Sequence, residues 1–133
     1  MRPRAARGGA AGIALALAAA CGASSSMTPS PPLTCSTLPN ATTVLIVKSA
    51  VCPQTLTVSP GSRVLFINND SGEHQMFSNP HPEHTDCPEI NQVGALQPGQ
   101  QRETGNLNSV RSCGFHDHLH DSIRALQGTI VIR

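Results

Sequence analysis

Apolar residues in the first half of the chain fall into short β-branched runs. Thr43-Val44-Leu45-Ile46-Val47, Thr55-Leu56-Thr57-Val58 and Arg63-Val64-Leu65-Phe66-Ile67 are of strand length. Each is bounded by turn residues, among them Pro60-Gly61, and each is rich in side chains that suit a pleated surface. A further run, Gly128-Thr129-Ile130-Val131-Ile132, ends the chain. No window holds an apolar repeat of 3.6 residues, so no amphipathic helix is predicted. Asn68-Asn69-Asp70-Ser71-Gly72 and Leu96-Gln97-Pro98-Gly99-Gln100 read as turns. Between them, residues 74–91 carry Pro80, Pro82 and Pro88 and predict one long loop, which in a small domain is usually functional. Short strands at regular spacing predict an all-β fold, a Greek-key β-sandwich or barrel, over residues 42–133.

The chain before residue 42 has a different texture. Arg2, Arg4 and Arg7 precede an apolar stretch from Ala10 to Ala20 that is short for a membrane-spanning helix. Leu17-Ala18-Ala19-Ala20 then leads into Cys21, which resembles a bacterial lipobox with its leucine displaced by one position. Residues 1–20 are therefore expected to be a signal peptide, with Cys21 the lipidated new N-terminus. Residues 21–41, rich in Ser, Thr and Pro, are expected to tether the domain to the membrane. These features imply an exported lipoprotein facing the periplasm or cell exterior, touching the membrane through its lipid anchor alone.

Charge narrows the partners. With Arg2, Arg4 and Arg7 removed, the eight acidic residues outnumber the basic ones, and no basic patch points to nucleic acid. Three phenylalanines are the only aromatic residues, so Val, Ile and Leu must fill the core. An oxidising compartment makes disulfides available to support so small a core.

All six histidines lie in two segments, 74–84 and 116–120, with Cys87 and Cys113 inside or beside them. Imidazole nitrogens and a thiolate on two loops of a β-sandwich are the donors that copper or zinc requires. His116 and His118 alternate on an extended segment and are expected on one face, with Asp117 pointing away. Asp70, Glu73 and Asp117 could accept from a ligand histidine's second nitrogen, but surface solvation is the expectation for all three.

Val58-Ser59-Pro60-Gly61, the strand leading to Asn68-Asn69-Asp70, His74, Leu96-Gln97-Pro98-Gly99, Cys113-Gly114-Phe115-His116 and the closing Gly128 strand occur in the order seen in cupredoxins. Residues 43–133 thus resemble the cupredoxin (plastocyanin/azurin-like) family. The resemblance implies copper held by His74, Cys113 and His116. It places Leu126 where the family carries its axial methionine, which would leave that bond missing. His118, His120, His81, His84 and Cys87 are additional candidate ligands. Gly114-Phe115-His116-Asp117-His118 is also similar to a segment of copper-zinc superoxide dismutases, but there the histidine pair precedes the matching loop rather than following it. The resemblance implies a binding and one-electron transfer protein, not an enzyme, with a redox partner that the sequence does not identify.

Cysteine parity opens an alternative. Apart from Cys21, four cysteines remain, and a thiolate at Cys113 leaves one of the other three unpaired. Cys35–Cys52 and Cys87–Cys113 disulfides would satisfy all four and exclude a Cys113 thiolate. Copper, or zinc, would then be held by histidines alone, from His74, His116 and His118 with His81 or His84, which favours metal storage or delivery.

Overall fold

The computed structural model describes residues 31–133. The signal-peptide and Cys21 expectations lie outside the described residues. Nine strands form two sheets: β1 (Thr43–Val47), β2 (Ala50–Cys52), β3 (Thr55–Val58), β4 (Leu65–Asn68), β5 (His74–Ser78), β6 (Gly94–Leu96), β7 (Gln101–Glu103), β8 (Arg111–Asp117) and β9 (Gln127–Ile132). One sheet runs β2-β1-β4-β7 and the other β3-β9-β8-β5-β6. Both are mixed: β1 lies parallel to β4 and β3 parallel to β9, while the other pairs are antiparallel. Among the described residues the only helical pieces are 3₁₀ turns at Ile90–Gln92, His118–His120 and Arg124–Leu126. The all-β sandwich expected from the sequence is what forms.

The core is aliphatic around two phenylalanines. Phe66 and Phe115 meet edge to face, with centroids 5.2 Å apart, and Val44, Ile46, Met76, Leu96, Ile130 and Ile132 pack in the same cluster. Leu126, expected at a metal's axial position, is buried in this core. Leu45 is fully buried although Val44 and Ile46 occupy the core side of β1. It pairs directly with Cys52, so both side chains leave the sheet on one side. The Cys35–Cys52 bond lays the leading segment there, and Pro32 and Leu33 come close to Val47. Residues 31–41 are thus joined to the sandwich, whose compact unit begins at Pro31.

The largest departure from the sequence reading is β5. His74–Ser78 is a strand, not the start of a loop. Its His74, Met76 and Ser78 are buried while Gln75 and Phe77 are partly exposed. This is strand alternation, disguised because two of the three inward side chains are polar.

A two-residue turn, Lys48-Ser49, joins β1 to β2 with φ of 52° and 55°. Hairpin turns with two positive φ values favour Asn-Gly, and here Asp70 compensates. Its carboxylate accepts from the amides of Lys48 (2.6 Å) and Ser49 (2.8 Å). Buried Asn68 orders the Asp70 turn in its own right: its amide group donates to the carbonyls of Gly72 and Leu96, and its Oδ1 accepts from the Asp70 amide.

Candidate metal centre

Strand β8 ends in Phe115-His116-Asp117, and its alternation decides where each side chain goes. Cys113, Phe115 and Asp117 point inward and are fully buried. His116 faces the opposite side, directly across from Phe77 on β5. The chain then enters the 3₁₀ turn at His118–His120, which returns His118 to the side of His116. The expected common face of His116 and His118, with Asp117 turned away, is present.

On the outer side, His81, His84, His116 and His118 converge, each offering a ligand atom within 4.8 Å of the others. Ring centroids are separated by 4.8 Å for His81–His118, 5.0 Å for His84–His118 and 5.2 Å for His84–His116. Phe77 forms the floor, stacking on His84 at 4.6 Å and 15° and meeting His118 at a steep angle. Nδ1 of His116 lies 2.8 Å from Oδ1 of Asn79. An amide oxygen only accepts, so Nδ1 carries the hydrogen and Nε2 keeps its lone pair. That Nε2 is buried and has no hydrogen-bond partner. An orphaned buried acceptor is costly, and a metal ion among three other imidazoles would satisfy it.

Burial first, then the neighbouring imidazoles, pushes His116 below the usual histidine range. His84 shifts the same way, from burial and from His118 and His81. Both rings are therefore held in the neutral form that ligates a metal. His84 also adopts φ of 54°, a left-handed conformation uncommon for such a residue. Backbone of this kind persists only where its surroundings fix it.

The loop that supplies His81 and His84 is fixed at several points. The amide of His84 donates to the Pro80 carbonyl at 2.7 Å, and that of Asp86 to the Asn79 carbonyl at 2.8 Å. Asn91 donates to the His84 carbonyl and accepts from the Ser78 amide. Arg111 on β8 holds Glu89 through Nη2, at 2.8 and 3.0 Å from its two carboxylate oxygens. Cys87 is disulfide-bonded to Cys113.

That bond corrects the thiolate expectation. Both sulfurs are committed to each other, so neither Cys113 nor Cys87 is a thiolate ligand. The alternative pairing weighed from parity, Cys35–Cys52 with Cys87–Cys113, is the one present. The set His74, Cys113 and His116 is not assembled: His74 and His116 fall into different groups.

His74 belongs to the inner side with Asp117 and His120. Nδ1 of His74 and Nδ1 of His120 each lie 2.7 Å from Oδ2 of Asp117. Oδ1 of Asp117 accepts from the amides of Gln75 (2.8 Å) and Leu119 (3.2 Å). Burial alone would push this carboxyl up. The Gln75 amide and the two imidazoles outweigh it and hold Asp117 below the ordinary carboxylate value. Asp117 is therefore a buried hub, which corrects the expectation of a solvated surface carboxylate. The available signal was parity: Asp117 shares the odd register of Cys113 and Phe115 and had to face inward with them.

No family model matches the chain, and no curated protein matches it. Solved structures do. A purple cupredoxin from Nitrosopumilus maritimus superposes with a TM-score of 0.53 at 16% identity, over 68% of this chain and 98% of that one. A methionine-to-alanine mutant of amicyanin in its Cu(I) form gives 0.52 at 17%, over 77% and 91%. Oxidised plastocyanin from Dryopteris crassirhizoma gives 0.53 at 17%, over 68% and 99%. The fold is the cupredoxin fold.

Proposed function

We propose that this protein binds copper through the imidazoles of His81, His84, His116 and His118, without sulfur, and holds or delivers the ion outside the cytoplasm. The observation that carries this reading is Nε2 of His116, buried, carrying a lone pair and unpartnered beside three further imidazoles. Imidazole suits copper and zinc alike, and the cupredoxin fold favours copper. Asn79 orients His116 by accepting from Nδ1, as an outer partner does for a ligating histidine. Phe77 excludes water from one side, and the disulfide-tied loop holds His81 and His84 facing β8. The metal is cargo in this account, and the protein is a binding protein rather than a catalyst.

One-electron transfer is the expectation attached to a Cys113 thiolate, and with that sulfur in a disulfide the handling role has the stronger support. The leader-like segment and the presence of two disulfides both favour export. Membrane attachment through Cys21 belongs to the same proposal. Equilibrium dialysis against a copper chelator tests it. The expected result is copper bound by the wild type and lost from the His84→Ala, His118→Ala double variant, with no intense visible band from a sulfur-to-copper transition. Undiminished copper binding by that double variant would rule out this site.

A further inference from the structure

The outer face of the second sheet carries a polar cleft beside the four-histidine site. We propose that this cleft binds a small organic carboxylate, with Arg124 and Asn79 as its main donors, and that its occupancy tightens metal binding at His116. The carboxylate site stands on its own geometry, while the coupling rests on the metal reading given above.

The strand registers lay out a row across that face. Thr55 on β3 pairs with Thr129 on β9, and Thr129 pairs in turn with Gly114 on β8. Paired residues share a face, and Thr55 is exposed while Leu56 is buried, so all three point away from the core. Gly114 leaves a gap in the row. A Cβ there would collide with the side chain of Asn79, whose Nδ2 lies directly over the glycine. Beside it opens a cleft of about 370 Å³, lined by Gln54, Thr55, Asn79, Arg124, Gln127 and Thr129 among others. That volume suits a small molecule.

Several donors in the cleft are unused. Asn79 commits its Oδ1 to His116, and its Nδ2 makes no hydrogen bond among the described residues. The hydroxyls of Thr55 and Thr129 make none there either. Arg63 and Arg111 are in ion pairs with carboxylates, whereas Arg124 is in none among the described residues. No acidic residue lines the cleft. Gln54 and Gln127 are already engaged: Gln54 donates to the carbonyls of Arg124 and Gln127, and Gln127 donates to that of Asp121. These bonds hold the backbone that carries Arg124 against β9. A guanidinium, an amide N–H and two hydroxyls with no competing acid make an anion site, and the planar fork of arginine matches a carboxylate.

Asn79 joins the cleft to the metal. An anion accepting from Nδ2 polarises the amide and makes Oδ1 a stronger acceptor. Oδ1 then holds the Nδ1 hydrogen of His116 more firmly and raises the basicity of Nε2, the atom left for the metal. Such coupling is reciprocal, so the metal tightens the carboxylate by the same factor.

Succinate serves as the probe. Titrated into metal-free protein, it is expected to shift the Asn79 side-chain amide and the Gly114 amide in NMR spectra in a saturable manner. Arg124→Gln should weaken this binding by about tenfold or more, and sulfate at matched ionic strength should bind less tightly than succinate. Zn(II) affinity, measured by chelator competition, should rise about fivefold or more at saturating succinate in the wild type. In Arg124→Gln it should not respond to succinate, which separates the effect from direct ligation of zinc by the carboxylate. No saturable shift in metal-free protein, an equal response to sulfate, or undiminished succinate binding in Arg124→Gln overturns the carboxylate site. Succinate that binds without changing zinc affinity overturns the coupling alone. Protein that binds succinate but no zinc overturns the metal reading, and the coupling with it, while the carboxylate site stands.

Discussion

Strand β8 ends between two clusters of opposite character. On its outer face four imidazoles converge, with one carboxylate, Asp121, 3.5 Å from His81 at the rim, and Nε2 of His116 has no partner. On its inner face a single carboxylate accepts from two imidazoles and two amides and is fully satisfied. Their supports differ as well. The outer cluster depends on a loop held by a disulfide, an ion pair and a left-handed residue. The inner one is built on β5, the end of β8 and Asp70, which also secures the first hairpin. One residue step along an extended strand changes the face, and with it the donor chemistry and the means of support.

Removing the Cys87–Cys113 bond should separate the clusters most. Replacing both cysteines by serine is expected to cost about 2–5 kcal/mol of stability, read by urea unfolding. Where the variant remains folded, outer-site affinity should fall while the His74–Asp117–His120 cluster persists. Equal loss at both clusters would break the comparison.

Asp70→Ala should act on the other side. It leaves the Lys48 and Ser49 amides without their acceptor and is expected to destabilise by about 1–3 kcal/mol. Outer-site metal affinity should not change, which metal titration of the folded variant checks.

Asn79→Ala addresses the outer face alone. It frees the His116 ring and should weaken metal binding there by about ten- to a hundredfold. Unchanged affinity would mean that packing, not Asn79, sets the ring.

Acid should discriminate next. Because the folded values of His84 and His116 are depressed, the unfolded chain binds protons more readily. Their contribution to stability is complete above the ordinary histidine value of about 6.5 and is lost as pH falls from there through the depressed folded values. Unfolding followed from pH 8 to 5 should show that decline, and His84→Ala should shrink it. The smallest effect is expected from Lys48→Asn with Ser49→Gly, which suits the two positive φ values and should add about 1 kcal/mol.

Much of the sandwich was legible because its strands advertise themselves. β1, β3, β4 and β9 are β-branched runs between turn residues, and Asn68 to Gly72 is a turn by composition alone. β5 was not legible, since His74 and Ser78 are buried polar residues and break the apolar alternation that marks a strand. The histidine segments were legible as a metal signature, and the shared face of His116 and His118 followed from strand parity. The donor set was not, because a cysteine beside a histidine reads the same whether its sulfur meets a metal or another sulfur. Cys87 decides that point, and it reaches Cys113 only through a fold that brings residue 87 back against β8. The same applies to His74, whose partners Asp117 and His120 are more than forty positions away.

The most direct measurement is disulfide mapping by mass spectrometry on copper-loaded protein, read beside its visible spectrum. The account predicts Cys87 linked to Cys113, Cys35 linked to Cys52, copper bound, and no intense sulfur-to-copper band. A free thiol at Cys113 together with such a band, abolished by Cys113→Ser, would contradict it.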